Sequence, residues 1–553
     1  MAQSLKIIPL GGLGTIGKNM MAIQYEDDIV VIDAGVLFPG EDLPGVDLVI
    51  PDTTFLKENR DKVRAILITH GHEDHTGAIP YLLKDLNVPV YAPKLAKGLI
   101  ELKIRPKRIL RESTIESIVP ENKMKIGQFI IQWFRVCHSI PDAMGLVIET
   151  PLGKVVHTGD FKIDHTPVDG NPTDLAMLSK LGEQGVLLLL SDSTYAEVPG
   201  YTPSEKIVGE TLEKVISEST GRVIVATFAS LIARIQQVLD AAVKYNRRVS
   251  FVGRSMKDNV KLGLKEGYLH APTGLIVSTE EIKRFAPSEV VIVTTGSQGE
   301  PTSALTRIAK KEHKEIAIIE GDTVVISATP IPGNETVVSK NINNLLKLGA
   351  KVLHDKVALV HVHGHASQEE LKMVLNVTKP KYFVPIHGEY RHLKAHADIA
   401  RSLGMGEKNT FVLEDGDVLA IDRNQATITE KVKAGPVYVN GPDTWTIEGK
   451  LIEDRKILAR QGILFIVVTI DSRTAAIMGE PEIFSEGVIP TEMSLLLDKD
   501  IRTVVKESLY RQTGSALEST NLENIIRDEV STFLVHRTGR KPIITPVVVK
   551  VGG

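Results

Sequence analysis

The stretch Thr69-His70-Gly71-His72-Glu73-Asp74-His75-Thr76-Gly77 carries three histidines and one aspartate within six residues. It follows the run 65–69, which predicts a β-strand, and α/β sheets place their ligands at the carboxyl ends of strands. Because the turn is tight, we expect His70 and His72 to reach one cation. Asp74 and His75 would reach a second about 3.5 to 4 Å away, a separation typical of two-metal hydrolases.

The remaining ligands must come from other parts of the chain. His138, Asp160 and His387 each lie at the end of a predicted strand. A single His or Asp in such a position is usually a polar cap. A cluster of three histidines and an aspartate, however, is costly to bury without a cation. We therefore group these three residues with the cluster as candidate metal ligands.

The composition excludes several classes of protein. The 553 residues include sixteen histidines and a single cysteine, Cys137, which excludes a disulfide scaffold and zinc sites built on paired cysteines. No apolar run approaches the roughly 18 residues of a membrane span, and no basic, apolar leader opens the chain. We therefore expect a cytoplasmic protein with no membrane partner. The net charge of -4 gives no global argument for nucleic-acid binding, so any such attraction must be local.

The order of apolar runs predicts three regions and an α/β fold class. Short runs separated by glycine and aspartate near the start indicate antiparallel strands. Beyond about residue 203, strands alternate with longer helices, as in a parallel sheet covered on both faces. After about residue 440, two helices and a few strands are typical of a small α+β domain.

The segment Gly12-Leu13-Gly14-Thr15-Ile16-Gly17 matches the dinucleotide-binding pattern G-x-G-x-x-G, and Asp33 follows about 20 residues later. In that pattern the third glycine lies in a helix that holds the pyrophosphate. Here residues 19–25 precede Glu26-Asp27-Asp28 and another apolar run, which indicates a hairpin. We favour a backbone turn near a functional site, with nucleotide binding as the alternative.

The H-x-H-x-D-H motif with the downstream His138, Asp160 and His387 resembles the metallo-β-lactamase superfamily. The resemblance extends over essentially the full length to the β-CASP nucleases, and specifically to the bacterial ribonuclease J family. The motif alone is specific to the superfamily, whereas its combination with other segments is specific to the ribonucleases. These segments are residues 9–19, 33–35, 191–194, 227–230, 295–301, 332–335 and 364–367.

This resemblance implies a metallo-β-lactamase αββα sandwich with an inserted β-CASP α/β domain and a small C-terminal α+β domain. His387 lies about 310 residues after the first cluster, so the chain must leave the catalytic domain and return. The expected limits are 1–203 and 363–440 for the two parts of the metallo-β-lactamase domain, 204–362 for the β-CASP domain, 441–461 for a linker and 462–553 for the C-terminal domain.

The resemblance also implies two zinc ions, with Mn2+ or Mg2+ as alternatives. One would be held by His70, His72, His138 and Asp160, and the other by Asp74, His75, Asp160 and His387. Asp33 matches the family's first motif and is expected to orient a ligand or the attacking water. A simple turn cap is the alternative for Asp33.

The leaving 3′ oxygen of a phosphodiester needs a proton, and the resemblance points to His365 as the general acid, with Asp192 as its acidic partner. A further zinc ligand in this segment is disfavoured, because the other motifs already fill both sites. For His361 a core histidine is the alternative. Histidines at alternate positions of an extended run face one side, so at least one of the three should face the substrate.

The resemblance further implies a pocket for the 5′ phosphate of a nucleotide. Its expected residues are Ser230, Leu231, Ile232, Arg234, His361, Val362, His363, Gly364, His365 and Ala366. Two positions depart from the family, which usually has Ser in place of His363 and Asn in place of Leu231. These departures affect the preference for 5′-monophosphate ends and leave metal binding untouched.

The segment 103–111 places five cations in nine residues and is a candidate RNA-contacting edge, with a solvated surface as the alternative. Arg247, Arg248, Arg254 and Lys257 are weaker candidates. Aromatic residues make up only 5% of the chain, so no stacking platform is predicted.

The resemblance implies a zinc-dependent ribonuclease that degrades single-stranded RNA from its 5′ end and also cuts internally, in mRNA decay and rRNA maturation. Homodimers or homotetramers are expected, as is a ribonuclease paralogue or RNA-decay complex as partner. One alternative is another hydrolase of the superfamily, acting on DNA, a thioester or a lactam. Another is a non-catalytic RNA-binding subunit.

Overall fold

A computed structural model describes residues 3–40, 42–104, 114–120, 122–300, 302–330, 334–440, 445–447, 449–472, 476–488, 491–511 and 519–552. The chain forms two compact units. The first comprises Met1–Phe38 and Leu48–Val437, and the second Pro39–Asp47 and Tyr438–Gly553. No helix among the described residues is long and apolar enough to cross a membrane.

The elements up to residue 192 alternate strands with short helices, and the first three strands pair antiparallel, as the apolar runs predicted. They are β1 (Leu5–Gly11), β2 (Met20–Tyr25), β3 (Asp28–Ile32), β4 (Leu48–Pro51), α1 (Thr54–Glu58), β5 (Val63–Leu67), α2 (Glu73–Thr76), α3 (Ile79–Asp85), β6 (Val90–Pro93), α4 (Lys94–Ile104), β7 (Ile115–Ile118), β8 (Lys123–Ile126), β9 (Phe129–Arg135), β10 (Met144–Thr150), β11 (Gly153–His157), α5 (Leu175–Gln184) and β12 (Leu188–Asp192).

Longer helices then alternate with strands up to residue 353. These elements are α6 (Glu205–Glu218), β13 (Val223–Ala226), α7 (Ile232–Lys244), β14 (Arg248–Val252), α8 (Arg254–Glu266), β15 (Val290–Thr294), α9 (Ala304–Ala309), β16 (Thr323–Ile326), α10 (Glu335–Lys347) and β17 (Lys351–Leu353). Short 3-10 turns lie at Arg60–Lys62, Glu281–Arg284, Pro287–Glu289 and Glu407–Asn409.

The rest of the chain completes the first unit and forms the second. Its elements are α11 (Gln368–Thr378), β18 (Tyr382–Ile386), α12 (Tyr390–Ser402), β19 (Asp417–Ile421), β20 (Ala426–Lys431), β21 (Pro436–Asn440), β22 (Trp445–Ile447), α13 (Gly449–Gln461), β23 (Ile463–Asp471), β24 (Glu482–Glu486), α14 (Thr491–Tyr510), α15 (Ser519–Thr538) and β25 (Ile543–Val551).

Two sheets pack face to face in the first unit. Their strand orders are β20-β19-β1-β2-β3-β5-β6-β7 and β18-β12-β11-β10-β9-β8. Alternate side chains of each sheet, such as Ile7 and Ile23 from one and Ile131 and Leu146 from the other, form one buried core. The outer face of the six-stranded sheet packs against α5, α11 and α12. This is the predicted sandwich, and the predicted fold class is confirmed.

The glycine-rich segment forms a turn and not a nucleotide-binding helix. Gly12, Gly14 and Gly17 have φ angles of 96°, 79° and 120°, which side chains with a Cβ rarely adopt. The next element is β2, which pairs antiparallel with β1. The alternative of dinucleotide binding is therefore wrong, because no helix follows the turn to hold a pyrophosphate.

A parallel sheet of order β14-β15-β13-β16-β17 forms the inserted region. Neighbouring residues of β13 point to opposite faces. Val225 packs in a core with α6, α7 and α8, whereas Ile224 packs in one with α9 and α10. Helices thus cover both faces, which explains why the strands are almost uniformly apolar.

The second unit contains a sheet of order β24-β23-β25, in which β23 and β25 run parallel. Leu464 and Ile466 of β23 pack against Ile501 of α14 and Ile526 of α15. The two predicted helices are present as α14 and α15, together with a few strands, as predicted. The range 441–461, predicted as a linker, contains α13; the predicted domain limits stay predictions.

Candidate metal centre

The candidate ligands meet because their strands end at one edge of the six-stranded sheet. β11, β12 and β18 are parallel neighbours, and β9 runs in the same direction because two antiparallel pairings separate it from β11. His138, Asp160 and His387 follow β9, β11 and β18 by a few residues. Their side chains therefore converge on the loop after β5 that carries residues 70–75.

One group consists of three imidazoles. His70 Nε2 lies 3.1 Å from His72 Nδ1, and His138 Nε2 lies 3.2 Å from the same His72 atom. All three side chains offer a nitrogen within 4.8 Å of the others. Nitrogens this close, on rings held at three different positions in the chain, form a donor set that suits a divalent cation.

A second group contains Asp74, His75, Asp160 and His387. His75 Nε2 lies 3.1 Å from Asp160 Oδ2 and 3.4 Å from Asp74 Oδ2. The Nε2 atom of His387 is 3.5 Å from Asp74 Oδ2. A third set overlaps this one and consists of Asp160, Asp192, His365 and His387.

Asp160 lies between the two groups. Its Oδ2 atom is 3.7 Å from His70 Nε2 and 3.9 Å from His138 Nε2, in addition to its contact with His75. Its other oxygen, Oδ1, accepts a hydrogen bond of 2.8 Å from His387 Nδ1. All seven predicted ligands are thus together, with Asp160 where a shared ligand would be; their ligand roles stay a prediction.

The residues present fit a metal. His387 Nε2 is buried, and no described residue hydrogen-bonds to it, which would be costly for a nitrogen that had no ligand. Because Nδ1 of the same ring is used by Asp160, Nε2 is the nitrogen left to bind a cation. Histidine nitrogens with carboxylate oxygens suit zinc and other divalent transition ions.

Burial sets the protonation of the first group. It is the main cause that lowers the pKa of His72 to about 4 and the pKa values of His70 and His138 well below the usual range. All three rings are therefore neutral at pH 7, and a neutral imidazole has the lone pair that a metal needs.

The second group is more charged. For Asp160 and Asp74, burial opposes ionisation, but His75 and His387 outweigh it and lower the pKa of both carboxyls. For His75, burial is outweighed by Asp160, Asp74 and Asp33, which raise the pKa of the ring. The negative charge of these carboxylates, which favours the protonated form of His75, would equally attract a divalent cation.

Asp33 holds one candidate ligand in place. His75 Nδ1–H donates to Asp33 Oδ2 over 2.7 Å, and the backbone N–H and hydroxyl of Thr69 donate to the same carboxylate over 2.8 Å. With Nδ1 protonated, His75 presents Nε2 to the centre. The geometry supports the predicted orienting role of Asp33, which has a left-handed φ of 59°.

Sequence reasoning missed the groups that hold two other candidate ligands, His138 and Asp74. His138 Nδ1–H donates to the Gly364 carbonyl over 2.7 Å, and a Cβ at Gly364 would lie 2.7 Å from the His138 ring. The Asn19 amide donates to the Asp74 carbonyl over 3.1 Å. The sequence did show a glycine, Gly364, in the histidine segment. Nothing in the sequence indicated that its carbonyl accepts a hydrogen bond from His138.

His365 and Asp192 form a pair at the edge of the centre. His365 Nδ1–H donates to Asp192 Oδ2 over 2.7 Å, while Asp192 Oδ1 accepts from the backbone N–H and hydroxyl of Thr194. Burial lowers the pKa of His365, but Asp192, Asp160 and Asp74 outweigh it and raise that pKa to about 9. The ring is therefore protonated at neutral pH.

The predicted phosphate-pocket residues differ in what they expose. Ser230 is half-buried, whereas five others are buried: Leu231, Ile232, Val362, Gly364 and Ala366. Arg234 is fully buried. Its guanidinium pairs with Glu205 and donates to Ser327 and to the Val360 carbonyl, so it acts inside the fold.

His363 stacks on Tyr195, a residue that the sequence did not single out. The two ring centroids lie 3.6 Å apart with an interplanar angle of 13°, and His365 lies on the same side, 5.8 Å from Tyr195. His361 instead lies near Arg234, and burial followed by this cation lowers the pKa of His361 to about 3. Two of the three alternate histidines thus share a side.

Most of the basic segment 103–111 lies outside the described residues. Lys103 is described, and its Nζ lies 2.9 Å from Glu73 Oε2 and donates to the Thr76 hydroxyl over 3.0 Å. This lysine therefore contacts the loop that carries the first ligands.

Four family models match consecutive parts of the chain. They are described as the metallo-beta-lactamase superfamily for residues 13–198, the ribonuclease J beta-CASP domain for 220–345, a zinc-dependent metallo-hydrolase RNA specificity domain for 350–413, and the ribonuclease J C-terminal domain for 450–551.

Relatives match almost end to end. "Ribonuclease J 1" of Streptococcus pyogenes is 43% identical over 98% of this chain and 97% of its own length. "Ribonuclease J2" of Bacillus subtilis is 40% identical over 99% of both chains. "Ribonuclease J" of Thermus thermophilus is 42% identical over 99% of this chain and 95% of its own.

A solved structure supports the fold. A protein of unknown function from Enterococcus faecalis superposes with a TM-score of 0.55 at 17% identity, and the match covers 76% of this chain and all of that one. The metallo-beta-lactamase and beta-CASP models agree with the candidate metal centre and the inserted parallel sheet. The chain therefore belongs to the ribonuclease J family of metal-dependent ribonucleases.

Proposed function

We propose that this protein is a two-zinc ribonuclease that hydrolyses RNA from the 5′ end and also cuts internally. The observation that carries the proposal is the convergence of seven histidine and aspartate side chains around Asp160, next to the His365–Asp192 pair. Neither a protein that only binds RNA nor a purely structural domain needs such a set of donors. Mn2+ or Mg2+ would serve the same oxygen and nitrogen donors less specifically.

Each part of the site has a defined task in this proposal. Two divalent cations, when bound, would supply Lewis acidity to activate water and to neutralise charge on the phosphodiester. Asp33 keeps His75 in the tautomer that presents Nε2. Asp192 keeps His365 protonated and accepts its Nδ1–H, which leaves Nε2–H of His365 facing outward. His365 Nε2 then donates the proton that the leaving 3′ oxygen requires.

The cellular role follows from family membership and is part of the proposal. The substrate would be single-stranded RNA in mRNA decay and rRNA maturation in the cytoplasm. The chain would act as a homodimer or homotetramer, with a ribonuclease paralogue or an RNA-decay complex as partner.

The proposal predicts metal-dependent release of mononucleotides. Purified protein is incubated with 5′-monophosphate and 5′-triphosphate RNAs of one sequence, with and without a chelator. We expect mononucleotides from the monophosphate RNA, internal fragments from both RNAs, and neither product once the chelator has removed the metal. Re-addition of Zn2+ or Mn2+ should restore both activities. Protein that contains metal but cuts neither RNA would instead be a non-catalytic RNA-binding subunit.

His363 should weaken the preference for 5′-monophosphate ends. Its ring occupies a position in the predicted phosphate pocket and stacks on Tyr195, so it cannot donate a short hydroxyl hydrogen bond to a phosphate oxygen. We expect His363→Ser to raise the ratio of kcat/KM for 5′-monophosphate over 5′-hydroxyl RNA by about tenfold, the worth of one hydrogen bond to a charged group.

The matched control for this change is His354→Ser, since His354 lies outside the pocket segment. It should leave the ratio unchanged. If His363→Ser also leaves the ratio unchanged while the protein stays folded by circular dichroism, His363 does not belong to the 5′-phosphate pocket.

A further inference from the structure

A cavity of about 380 Å³ lies in the inserted parallel sheet region, outside the metal centre. It opens where β14 ends and α8 begins, and a second wall comes from α9 and the residues after it. Its lining consists of Val252, Gly253, Arg254, Lys257, Asp258, Arg307, His313, Lys314 and Glu315. Neither the metal groups nor the predicted phosphate pocket includes any of these residues.

The cavity is strongly cationic. Four side chains of its lining, Arg254, Lys257, Arg307 and Lys314, are positive, against the carboxylates of Asp258 and Glu315. Within the part of the chain that the structure describes, none of the four forms an ion pair with a carboxylate. The excess positive charge is therefore not neutralised inside the fold, and it is available to an anion from solution.

His313 and Glu315 are already held by other groups. His313 Nδ1 accepts from the backbone N–H groups of Glu315 and Ile316 over 3.2 and 3.1 Å. Burial, followed by the charge of Arg307, lowers the pKa of this ring, which is therefore neutral and has Nε2–H as its donor. Glu315 Oε2 accepts from the Thr279 hydroxyl over 2.9 Å. Arg307 donates to the Glu312 carbonyl over 3.3 Å. Among the described residues, Arg254, Lys257 and Lys314 therefore remain as the cations of the lining without a side-chain hydrogen bond or ion pair.

The position of the cavity relates it to the catalytic segment. All five strands of this sheet are parallel, so the cavity at the end of β14 opens at the same edge as the residues after β13 and β16. At that edge Ser327, just after β16, donates to the Val360 carbonyl over 2.7 Å. The chain continues from Val360 to His365.

The cavity is displaced sideways along that edge. β15 and β13 separate β14 from β16, which Ser327 follows, so these two strand ends are three strand spacings, or about 14 Å, apart. RNA that contacts both the cavity and the segment that leads to His365 would therefore run along this edge of the sheet.

We propose that this cavity binds backbone phosphates of the RNA substrate at a distance from the cleaved bond. Arginine and lysine that neutralise phosphates supply most of the sequence-independent affinity of proteins for nucleic acids. The chain has a net charge of -4, so RNA must be attracted by local cationic surfaces of this kind. The identification of the polyanion as RNA rests on the proposed function, whereas the phosphate-binding property does not.

The test measures binding without cleavage. In a chain that carries Asp160→Asn, the Kd for a fluorescent single-stranded RNA of about 20 nucleotides is measured by anisotropy over a series of salt concentrations. Adding Arg254→Gln and Lys257→Gln should weaken binding about tenfold at low salt. It should also reduce the slope of log Kd against log salt by about 1.4, since each phosphate contact to a single strand contributes about 0.7.

The matched control adds Lys340→Gln and Lys347→Gln instead. These two lysines are exposed on α10 in the same parallel-sheet region, so the change in net charge is identical but lies outside the cavity. The control should leave the slope unchanged. An equal fall of the slope in both proteins would overturn the proposal, because only overall charge would then matter.

Two further measurements separate this inference from its alternatives. In a chain with native Asp160, the Arg254→Gln and Lys257→Gln changes should raise KM for the 20-nucleotide RNA and leave the metal content of the protein unchanged, because the cavity contacts phosphates and contains none of the candidate metal ligands. The Arg254→Gln and Lys257→Gln protein could also lose binding to inorganic triphosphate while its slope of log Kd for RNA against log salt stays unchanged. That result would identify a site for a free anion and overturn the proposal. Failure of the ribonuclease function would appear differently, as absence of cleavage by the unsubstituted protein with its RNA binding intact.

Discussion

Asp160→Asn is expected to abolish RNA hydrolysis and to reduce the metal content of the protein. Asp160 Oδ2 lies between the two groups, 3.1 Å from His75 Nε2 and 3.7 Å from His70 Nε2, where a shared ligand would be. Asparagine keeps the shape but removes the negative charge that would hold two cations side by side. Metal ions at such sites contribute several kcal/mol to transition-state stabilisation, so kcat/KM should fall by about a thousandfold or more.

Metal content measured by inductively coupled plasma mass spectrometry should fall from two ions per chain to one or none. The matched control is Asp169→Asn, because Asp169 is exposed in the region that follows Asp160 and, among the described residues, its side chain hydrogen-bonds only to nearby Asn171. It should retain full activity and metal. If folded Asp160→Asn protein kept two ions and activity within tenfold, Asp160 would not be the shared ligand.

His365→Ala should give the second largest loss. His365 is held by Asp192 through Nδ1, which leaves Nε2–H as the proton donor for the leaving oxygen. Positioned general acids contribute about a hundredfold to ten-thousandfold, and we expect kcat on RNA to fall within that range. A leaving group that is stable as an anion, such as p-nitrophenolate, needs no proton from His365. The rate of cleavage of the p-nitrophenyl ester of uridine 5′-monophosphate should therefore change little.

The pH profile gives an independent readout of the same role. The carboxylates around His365, chiefly Asp192, outweigh burial and raise its pKa, so the ring carries its proton below that pKa and loses it above. The rate on RNA should therefore fall as the pH rises through the pKa, and this alkaline limb should be absent in His365→Ala. The control His354→Ala should keep both rate and profile. Equal losses on RNA and on the ester would argue against an acid role and for a purely structural one.

Much of the candidate site was accessible from the sequence because it is local. His70, His72, Asp74 and His75 lie on one short loop, and their spacing alone indicates that they share a centre. His138, Asp160 and His387 were assigned by a general property of α/β sheets, that strand ends carry the ligands. The alternation of strands with longer helices beyond about residue 203 was also predicted, and the structure has it from α6 to β17.

The parts that sequence could not predict depend on partners distant in the chain. Arg234 resembled a phosphate contact, but it is buried because Glu205, Ser327 and the Val360 carbonyl surround its guanidinium. His363 resembled a pocket residue, and only the fold brings Tyr195 against its ring. No periodicity or motif encodes such contacts.

By itself, the sequence determined the fold class, the family and the set of metal-ligand candidates, because each of these is written in short patterns of hydrophobicity and residue type. Only the tertiary structure decided which oxygen lies between the two groups, which carbonyl holds His138, and which cations remain unpaired around the cavity beside α8. These properties depend on distances of a few ångströms between side chains from different strands. The order and direction of those strands, and the packing of the sheets, set such distances.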